Sequence, residues 1–244
     1  MSILPKKILA LTKKELYSQL NSPVFYGVAV FFLLFTSIWL FYFQQFFMRN
    51  MATLRPFFAA FPPAFILVIP VITMKSWAEE RKLGSAEILL TMPFSEWDLT
   101  LGKFLSSLTL IAILLVLTLP VPLSLLLLGD FDGGVIASEY LGAFLLGASA
   151  AALGHLLSTL SKNQAGAFLG SAAVLLLVML MNQFTLGLNL PPLAAEIINA
   201  VSLAFHFESF SKGLIDTRDL AYFILTTVLF LYLNTRVLLF RKWR

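Results

Sequence analysis

Residues 24–43 read VFYGVAVFFLLFTSIWLFYF, and this stretch decides the fold class. It carries no charged residue, and its apolar side chains would cover every face of a helix. About 20 apolar residues are enough to cross a bilayer as a helix. A strand of a membrane barrel would instead alternate apolar and polar residues over about ten positions. The stretch therefore predicts a transmembrane helix.

The whole chain has the composition of an integral membrane protein. Hydrophobic residues make up 59% of its 244 residues and charged residues only 12%, whereas soluble domains average about 45–50% apolar and about 25% charged residues. The charges lie mainly in a few connecting segments and at the two ends, where they separate apolar blocks of spanning length. We therefore predict an all-α integral membrane protein with six transmembrane helices, at residues 24–43, 57–74, 104–128, 140–160, 165–184 and 220–240.

The distribution of basic residues predicts the orientation. With six spans, both termini lie on one side of the membrane, and thirteen of the seventeen lysines and arginines fall on that side. Basic residues near helix ends accumulate in the cytoplasm, so we expect both termini to be cytoplasmic and the chain to be a multi-pass protein of the cytoplasmic (inner) membrane. The N-terminal sequence has no cleavable signal-peptide pattern. Because the net charge of +4 is divided across the membrane, nucleic-acid binding has no support.

We divide the chain into an N-terminal segment, residues 1–23, and a transmembrane domain, residues 24–244. Lysines and leucines interleave in the first segment, a pattern typical of a helix that lies along the cytoplasmic membrane surface. The domain includes a cytoplasmic connector at 75–103. It also includes an external segment at 185–218, which is expected to form one or two short helices after two consecutive prolines. These helices could close an outer gate or merely shield the helix ends.

Local signals refine the spans. Pro62, Pro63 and Pro70 predict a kink in the second span, because proline cannot donate the helical hydrogen bond and its ring crowds the preceding turn. Ser95 followed by Asp98 has the form of a capping box, which predicts that the third helix starts well before its apolar part.

Small residues recur at four-residue spacing in the fourth and fifth spans. Gly147 and Ala151 lie on one such stripe, and Gly166 and Gly170 on another. Small residues let membrane helices approach closely. The stripes are therefore predicted helix-packing sites, either within one subunit or between two subunits.

No pattern for catalysis, a metal or a cofactor is found in the sequence. There is no cysteine, and the two histidines, His155 and His206, are expected on opposite halves of the membrane. His155 is interpreted as a hydrogen-bonded packing residue, with substrate or proton contact as the alternative. Asp130 and Asp132 lack the further ligands of a calcium loop and are interpreted as an exposed turn. Because no phosphate-binding GxxxxGK[ST] motif occurs, the chain is not expected to be an enzyme that hydrolyses nucleotides.

The connector between the second and third spans is the most informative segment for function. Residues 77–82 are expected to continue the second span into water, and residues 85–92 to form a short helix whose isoleucine and leucines lie outside the bilayer. Exposed apolar side chains within a charged rim are what a docking element needs, because burial supplies affinity and charge sets orientation. A helix resting on the lipid headgroups would have the same pattern.

This connector, AEERKLGSAEILLTMPFSEWDLTLGKF at residues 78–104, resembles that of the ABC type-2 permeases, in particular the gliding-motility-type (GldF-like) branch. The resemblance extends to KKELYSQLNSPVFYG at 13–27 and to FHFESFSKGLIDTRDLAYF at 205–223. It implies the permease subunit of an ATP-driven exporter, which pairs with cytoplasmic ABC ATPase subunits and with a second permease subunit, a copy of itself or a related chain. In that family the connector is a coupling helix in contact with the ATPase. The positions carried over are Glu79, Glu80, Arg81, Gly84, Ser85, Glu87, Leu89 and Pro93.

Two other classes remain open at this point. An ion-driven secondary carrier would call for inverted repeats or charged residues in mid-membrane, neither of which the sequence contains. A membrane anchor for a cytoplasmic ATPase complex that transports nothing would suit the connector equally well.

Overall fold

The computed structural model describes residues 4–48, 53–85, 94–187 and 191–242, and in these ranges the chain is almost entirely helical, with no strand. Six helical segments are long and apolar enough to span a membrane, so the fold prediction is confirmed. The helices run in chain order as α1 Leu4–Leu20, α2 Pro23–Ile38, α3 Arg55–Phe58, α4 Phe61–Thr73, α5 Lys75–Lys82, α6 Glu96–Thr118, α7 Pro120–Leu125, α8 Gly133–Leu160, α9 Gln164–Gly187, α10 Pro192–Val201, α11 Leu203–Ser211 and α12 Thr217–Lys242. A π-helical turn, Trp39–Phe43, extends α2.

The fourth span, α8, is the central helix of the bundle. It packs against α4, α5, α6, α9, α11 and α12, and 72% of its most apolar window is buried, against 22% for the fifth span and 28% for the sixth. Glycine, alanine and serine dominate its buried face. Without a hydrophobic drive between helices in lipid, such short side chains permit the close backbone approach on which packing depends.

Gly154 marks the closest approach in the middle of the bundle. A Cβ atom at this position would lie 2.3 Å from Oγ1 of Thr73, which is itself held by a 3.0 Å hydrogen bond to the Ile69 carbonyl oxygen. Gly147 is similarly crowded, since a Cβ there would lie 2.9 Å from Cγ2 of Ile111. Contacts within the subunit therefore occupy this face of α8.

The second span is interrupted at Met74, between α4 and α5. At this interruption a side chain from another helix enters, and the kink predicted from the prolines stays a prediction. Oγ of Ser158 in α8 donates to the Met74 carbonyl oxygen at 3.2 Å, and it accepts the backbone N–H groups of Trp77 and Ala78 at 3.2 and 3.3 Å. A side chain inserted into the ladder is a recognised cause of helix bending.

The end of the bundle opposite α1 carries the external segment. Two short helices, α10 and α11, follow Pro191, as the sequence predicts. The Ser138 hydroxyl donates to the Phe210 carbonyl oxygen at 2.8 Å, the Ser211 hydroxyl donates to Glu139 at 3.2 Å, and Gly142 lies directly against Phe210. Because Leu203, Phe207 and Phe210 are also buried, α11 is fastened to the start of α8.

We expect Gly154→Ala to lower the free energy of unfolding by about 1–3 kcal/mol, because the added methyl group overpacks the contact with Thr73. Gly170→Ala is the matched control, since its Cβ would meet no atom within 4 Å. Thermal unfolding in detergent would measure both variants. Equal midpoints for the two would contradict the close packing of α8 on the second span.

Candidate functional site: the α5–α6 end of the bundle

The first helix, the end of the last helix and both ends of the connector meet at one end of the bundle. Leu11 of α1, Trp77 of α5, Leu99 of α6 and Leu238 of α12 form a small buried cluster there. Leu11 also lies over Gly102, where a Cβ atom would come within 2.6 Å of its side chain. The predicted N-terminal helix is thus present as α1, packed along α6; its position on the membrane surface stays a prediction.

Lys103 in α6 is the charged centre of this end. Only 2% of the residue is exposed, and its ammonium group lies 2.7 Å from Glu80 Oε1 in α5, 3.2 Å from Glu15 Oε1 in α1 and 2.8 Å from the Ser76 carbonyl oxygen. The ring of Trp77 covers it, with the centroid 4.9 Å away. A buried ammonium is stable only when its charge is balanced and its donors have acceptors. Here α1 and α5 supply those partners, so the contacts join both helices to α6.

A hydrogen-bonded histidine continues this polar network toward the middle of the bundle. The ring of His155 in α8 lies 2.9 Å from the Ser107 hydroxyl through Nε2 and 2.9 Å from the Ser76 hydroxyl through Nδ1. Both ring nitrogens therefore have partners, as expected for a hydrogen-bonded packing residue, and the alternative of substrate or proton contact stays open. Ser76 belongs to both groups, because its carbonyl oxygen binds Lys103.

Arg81 fastens α5 to the end of α8. Its guanidinium group donates to the carbonyl oxygen of Ser161 at 2.5 Å and to that of Thr159. These carbonyls belong to the last turn of α8, where the helix itself supplies no donor and the helix dipole favours a positive charge. The contact is with the same subunit, so Arg81 has a structural role in addition to any role in docking.

The end of α5 is set by Gly84. Its φ angle is +72°, and its N–H donates to the Arg81 carbonyl oxygen at 3.2 Å. Glycine is the usual residue at such a left-handed helix end, because it has no Cβ to clash. Ser85 then bonds back to the Glu80 carbonyl oxygen at 3.2 Å, and the preceding Leu83 is 72% exposed.

The start of α6 is also set by its sequence. Oγ of Ser95 accepts the Asp98 N–H at 3.1 Å, and Asp98 Oδ2 accepts the Ser95 N–H at 3.0 Å, so the predicted capping box is confirmed. The third helix thus begins eight residues before Phe104, the first residue of the predicted apolar span. Both sides of the connector are extensions of spanning helices.

The structure describes five of the eight predicted site residues. Glu80 and Arg81 are tied to other helices, Glu79 lines a cavity, and Gly84 and Ser85 follow α5. Glu87, Leu89 and Pro93 lie outside the described residues. Their role in ATPase contact stays a prediction.

The two predicted packing stripes lie in different surroundings. Gly147 and Ala151 are buried inside the subunit, on α8. Gly166 and Gly170 lie on α9, where a Cβ atom would meet only the nearby Asn163 at the first position and nothing within 4 Å at the second. This face of α9 is free of close contacts within the described part of the subunit.

Asp132, the second of the two aspartates before α8, caps the start of that helix. Asp132 Oδ1 accepts the N–H groups of Gly134 and Val135 at 2.8 and 3.3 Å, which is the role of an N-cap residue. Across the described residues, no group of three or more histidines, aspartates or glutamates is arranged to hold a metal ion.

Sequence reasoning missed the central position of Lys103 and the contributions of Glu15 and Ser158. Lys103 was counted as one of the basic residues that set orientation. A signal was available, since a lysine that follows several turns of helix and precedes a long apolar run must find a partner when its helix is packed. No comparable signal identifies Ser158, because serines are common on close-packed membrane helices.

The fold and this site define a multi-pass helical membrane protein in which α5 and α6, at the two ends of the connector, are bonded to neighbouring helices. The family model described as ABC-2 family transporter protein matches residues 41–239. The chain therefore belongs to the ABC-2 transporter family. Members are membrane permease subunits of ABC transporters that associate with an ABC ATPase and are not ATPases themselves. A search of curated proteins gives no match.

We expect Lys103→Met to lower the free energy of unfolding by about 3 kcal/mol, because it leaves two largely buried carboxylates without their cation. Adding Glu80→Gln should restore part of the loss, since one of those carboxylates is then neutral. Thermal unfolding in detergent and the rate of proteolysis within α1 would measure the effect. If Lys103→Met unfolds like the natural chain, the ion cluster does not hold α1 in place.

Proposed function

We propose that this chain is the permease subunit of an ATP-driven exporter and that its ABC ATPase docks on the connector at residues 75–103. The observation that carries the proposal is the bonding of α5 to its neighbours. Arg81 joins it to α8, Glu80 and Ser76 join it through Lys103 to α6 and α1, and Ser158 braces its first turn. A force applied to the connector would therefore act on one connected block of helices.

The proposed coupling is mechanical. ATP-dependent movement of the ATPase would displace the connector, and the displacement would reach the second, third and fourth spans without first bending α5. Packed helices shift as units and not as continuously deformable bodies. ATP favours one conformation of the complex only to the extent that it binds that conformation more tightly than the other. A stiff connection is needed to pass this preference from the ATPase to the membrane helices.

The orientation and the assembly are part of the proposal. Basic residues concentrate at the end of the bundle that holds α1 and α5, which supports a cytoplasmic position for both termini and for the connector. A transporter needs a pathway across the membrane, and a second permease subunit, either a copy or a related chain, would complete it. Membership of the gliding-motility-type (GldF-like) branch is also proposed, on the resemblance of residues 78–104.

We expect Glu87→Lys to lower recovery of the ABC ATPase about tenfold in affinity capture of the tagged chain from its native membranes. A reversed charge at a docking rim weakens association by about 1.4 kcal/mol when it repels a like charge on the partner. Leu89→Pro should have a similar effect, because proline breaks the predicted helix. Recovery would be measured as ATPase protein and as ATP hydrolysis per permease.

Glu196→Lys in α10 is the matched control, since it makes the same charge change on an exposed residue at the other end of the bundle. Unchanged ATPase recovery in both connector variants, at normal membrane levels, would contradict the docking proposal. Transport by the reconstituted complex, measured with and without ATP, separates the exporter from an anchor that transports nothing and from an ion-driven carrier.

A further inference from the structure

A cavity of about 340 Å³ opens between α1, the first turns of α2 and the α4–α5 junction. Its lining includes apolar side chains, among them Phe25 and Val28, and charged side chains from α1 and α5. Neither the family match nor the connector proposal assigns this space a role.

Two charged side chains on the cavity wall have no ionic partner in the described part of the chain. Lys75 and Glu79 are four residues apart on α5 and could pair along the helix, yet among the described residues neither forms an ion pair. Nζ of Lys75 lies instead 3.3 Å from the Ser22 hydroxyl across the cavity. The wall thus presents one unpaired cation and one unpaired anion on the same helix.

Glu80 supplies a further unused acceptor beside them. Its Oε1 binds Lys103, but its Oε2 is buried and has no hydrogen-bond partner in the described structure. A buried carboxylate oxygen without a donor is costly, and because Glu80 lines the cavity, a rotation of its side chain would bring this oxygen to a ligand with an N–H donor. The lining therefore offers acceptors for a cation next to a lysine and a hydroxyl suited to an anion.

An apolar groove continues from this cavity along α2 and α4. The groove has a volume of about 330 Å³, shares Val24, Val28 and Val71 with the cavity, and is bounded farther along by Phe31, Leu67 and Phe168. All of its lining residues are apolar. A polar chamber that runs directly into an apolar groove matches an amphiphile with a charged head and a hydrocarbon tail.

We propose that the cavity and the groove together bind one phospholipid whose headgroup carries both a phosphate and a primary ammonium. The phosphate lies against Lys75 and the Ser22 hydroxyl, the ammonium lies against Glu79 and Glu80, and an acyl chain fills the groove. A lysine and a hydroxyl suit a phosphate, and carboxylates suit an ammonium with three donors. The site depends on membrane insertion only and not on the docking of an ATPase.

Native mass spectrometry of the full-length chain in detergent would test the proposal. Phosphatidylethanolamine supplies both charges of the proposed headgroup, and phosphatidylglycerol supplies the phosphate alone. We expect one molecule of the first lipid to bind about tenfold more tightly than the second, which corresponds to about 1.4 kcal/mol. Equal affinity for the two lipids would overturn the proposal.

Variants on α5 give the sharper result. Glu79→Gln should abolish the preference for phosphatidylethanolamine. Lys75→Gln should weaken the binding of both lipids, because both contain the phosphate. Glu208→Gln is the matched control, since it removes one carboxylate from an exposed Glu–Lys pair at the other end of the bundle. An unchanged preference in Glu79→Gln, or an equal loss in the control, would contradict the site.

A second copy of the chain is the competing occupant of the groove. The natural chain has no cysteine, and a Cβ at Gly27 in the groove would meet no atom within 4 Å. A Gly27→Cys variant therefore provides a single cysteine that can form a disulfide only with another subunit. We expect the cysteine to resist disulfide formation between subunits in membranes that contain phosphatidylethanolamine. Efficient crosslinking there would show that a subunit covers the groove and would overturn the proposal.

Discussion

The buried ammonium group of Lys103 is the interaction on which this end of the molecule depends. A charge removed from water is stable only if nearby groups replace its hydration. Here the replacement comes from Glu15 in α1, from Glu80 and the Ser76 carbonyl in α5, and from the ring of Trp77. The same contacts that stabilise the charge hold three helices at fixed separation, because each partner must stay within hydrogen-bond distance. The contacts that replace the hydration of Lys103 therefore also fix the position of α5 in the connector.

The small residues of α8 complete the connection across the bundle. Hydrophobic burial gives little preference for helix association inside lipid, so close packing and interhelical hydrogen bonds must supply it. Gly154 brings α8 against Thr73, and one turn farther on Ser158 enters the interruption at Met74. Apolar packing and polar bonding thereby act at neighbouring positions on the same pair of helices. The interruption in the second span is therefore held by hydrogen bonds from a neighbouring helix.

The sequence predicted the elements well because membrane insertion imposes a length and an apolar composition on each span. Capping was equally predictable, since Ser95 and Asp98 are close in the chain and need no knowledge of the fold. The pairing of side chains from different helices was not predictable. Lys103 is 88 residues from Glu15 and 23 from Glu80, and no local sequence rule joins them. The connector motif contains both Glu80 and Lys103, but from the sequence its charges were expected to form a rim around an exposed docking element. Folding instead turns the two residues toward each other, while Glu79 lines the cavity.

One helix joins the two ends of the molecule. At its last turn α8 is held by Arg81 of the connector, and at its first turns Ser138 and Glu139 hold α11 of the external segment. Both contacts belong to one uninterrupted helix of 28 residues, which at about 1.5 Å per residue is long enough to cross the hydrocarbon core. Because an α-helix resists compression along its axis far more than loops do, displacement of the connector end of α8 would move the contacts of α11 as well. The structure therefore provides a continuous physical connection between the connector and the external helices that does not pass through any flexible loop.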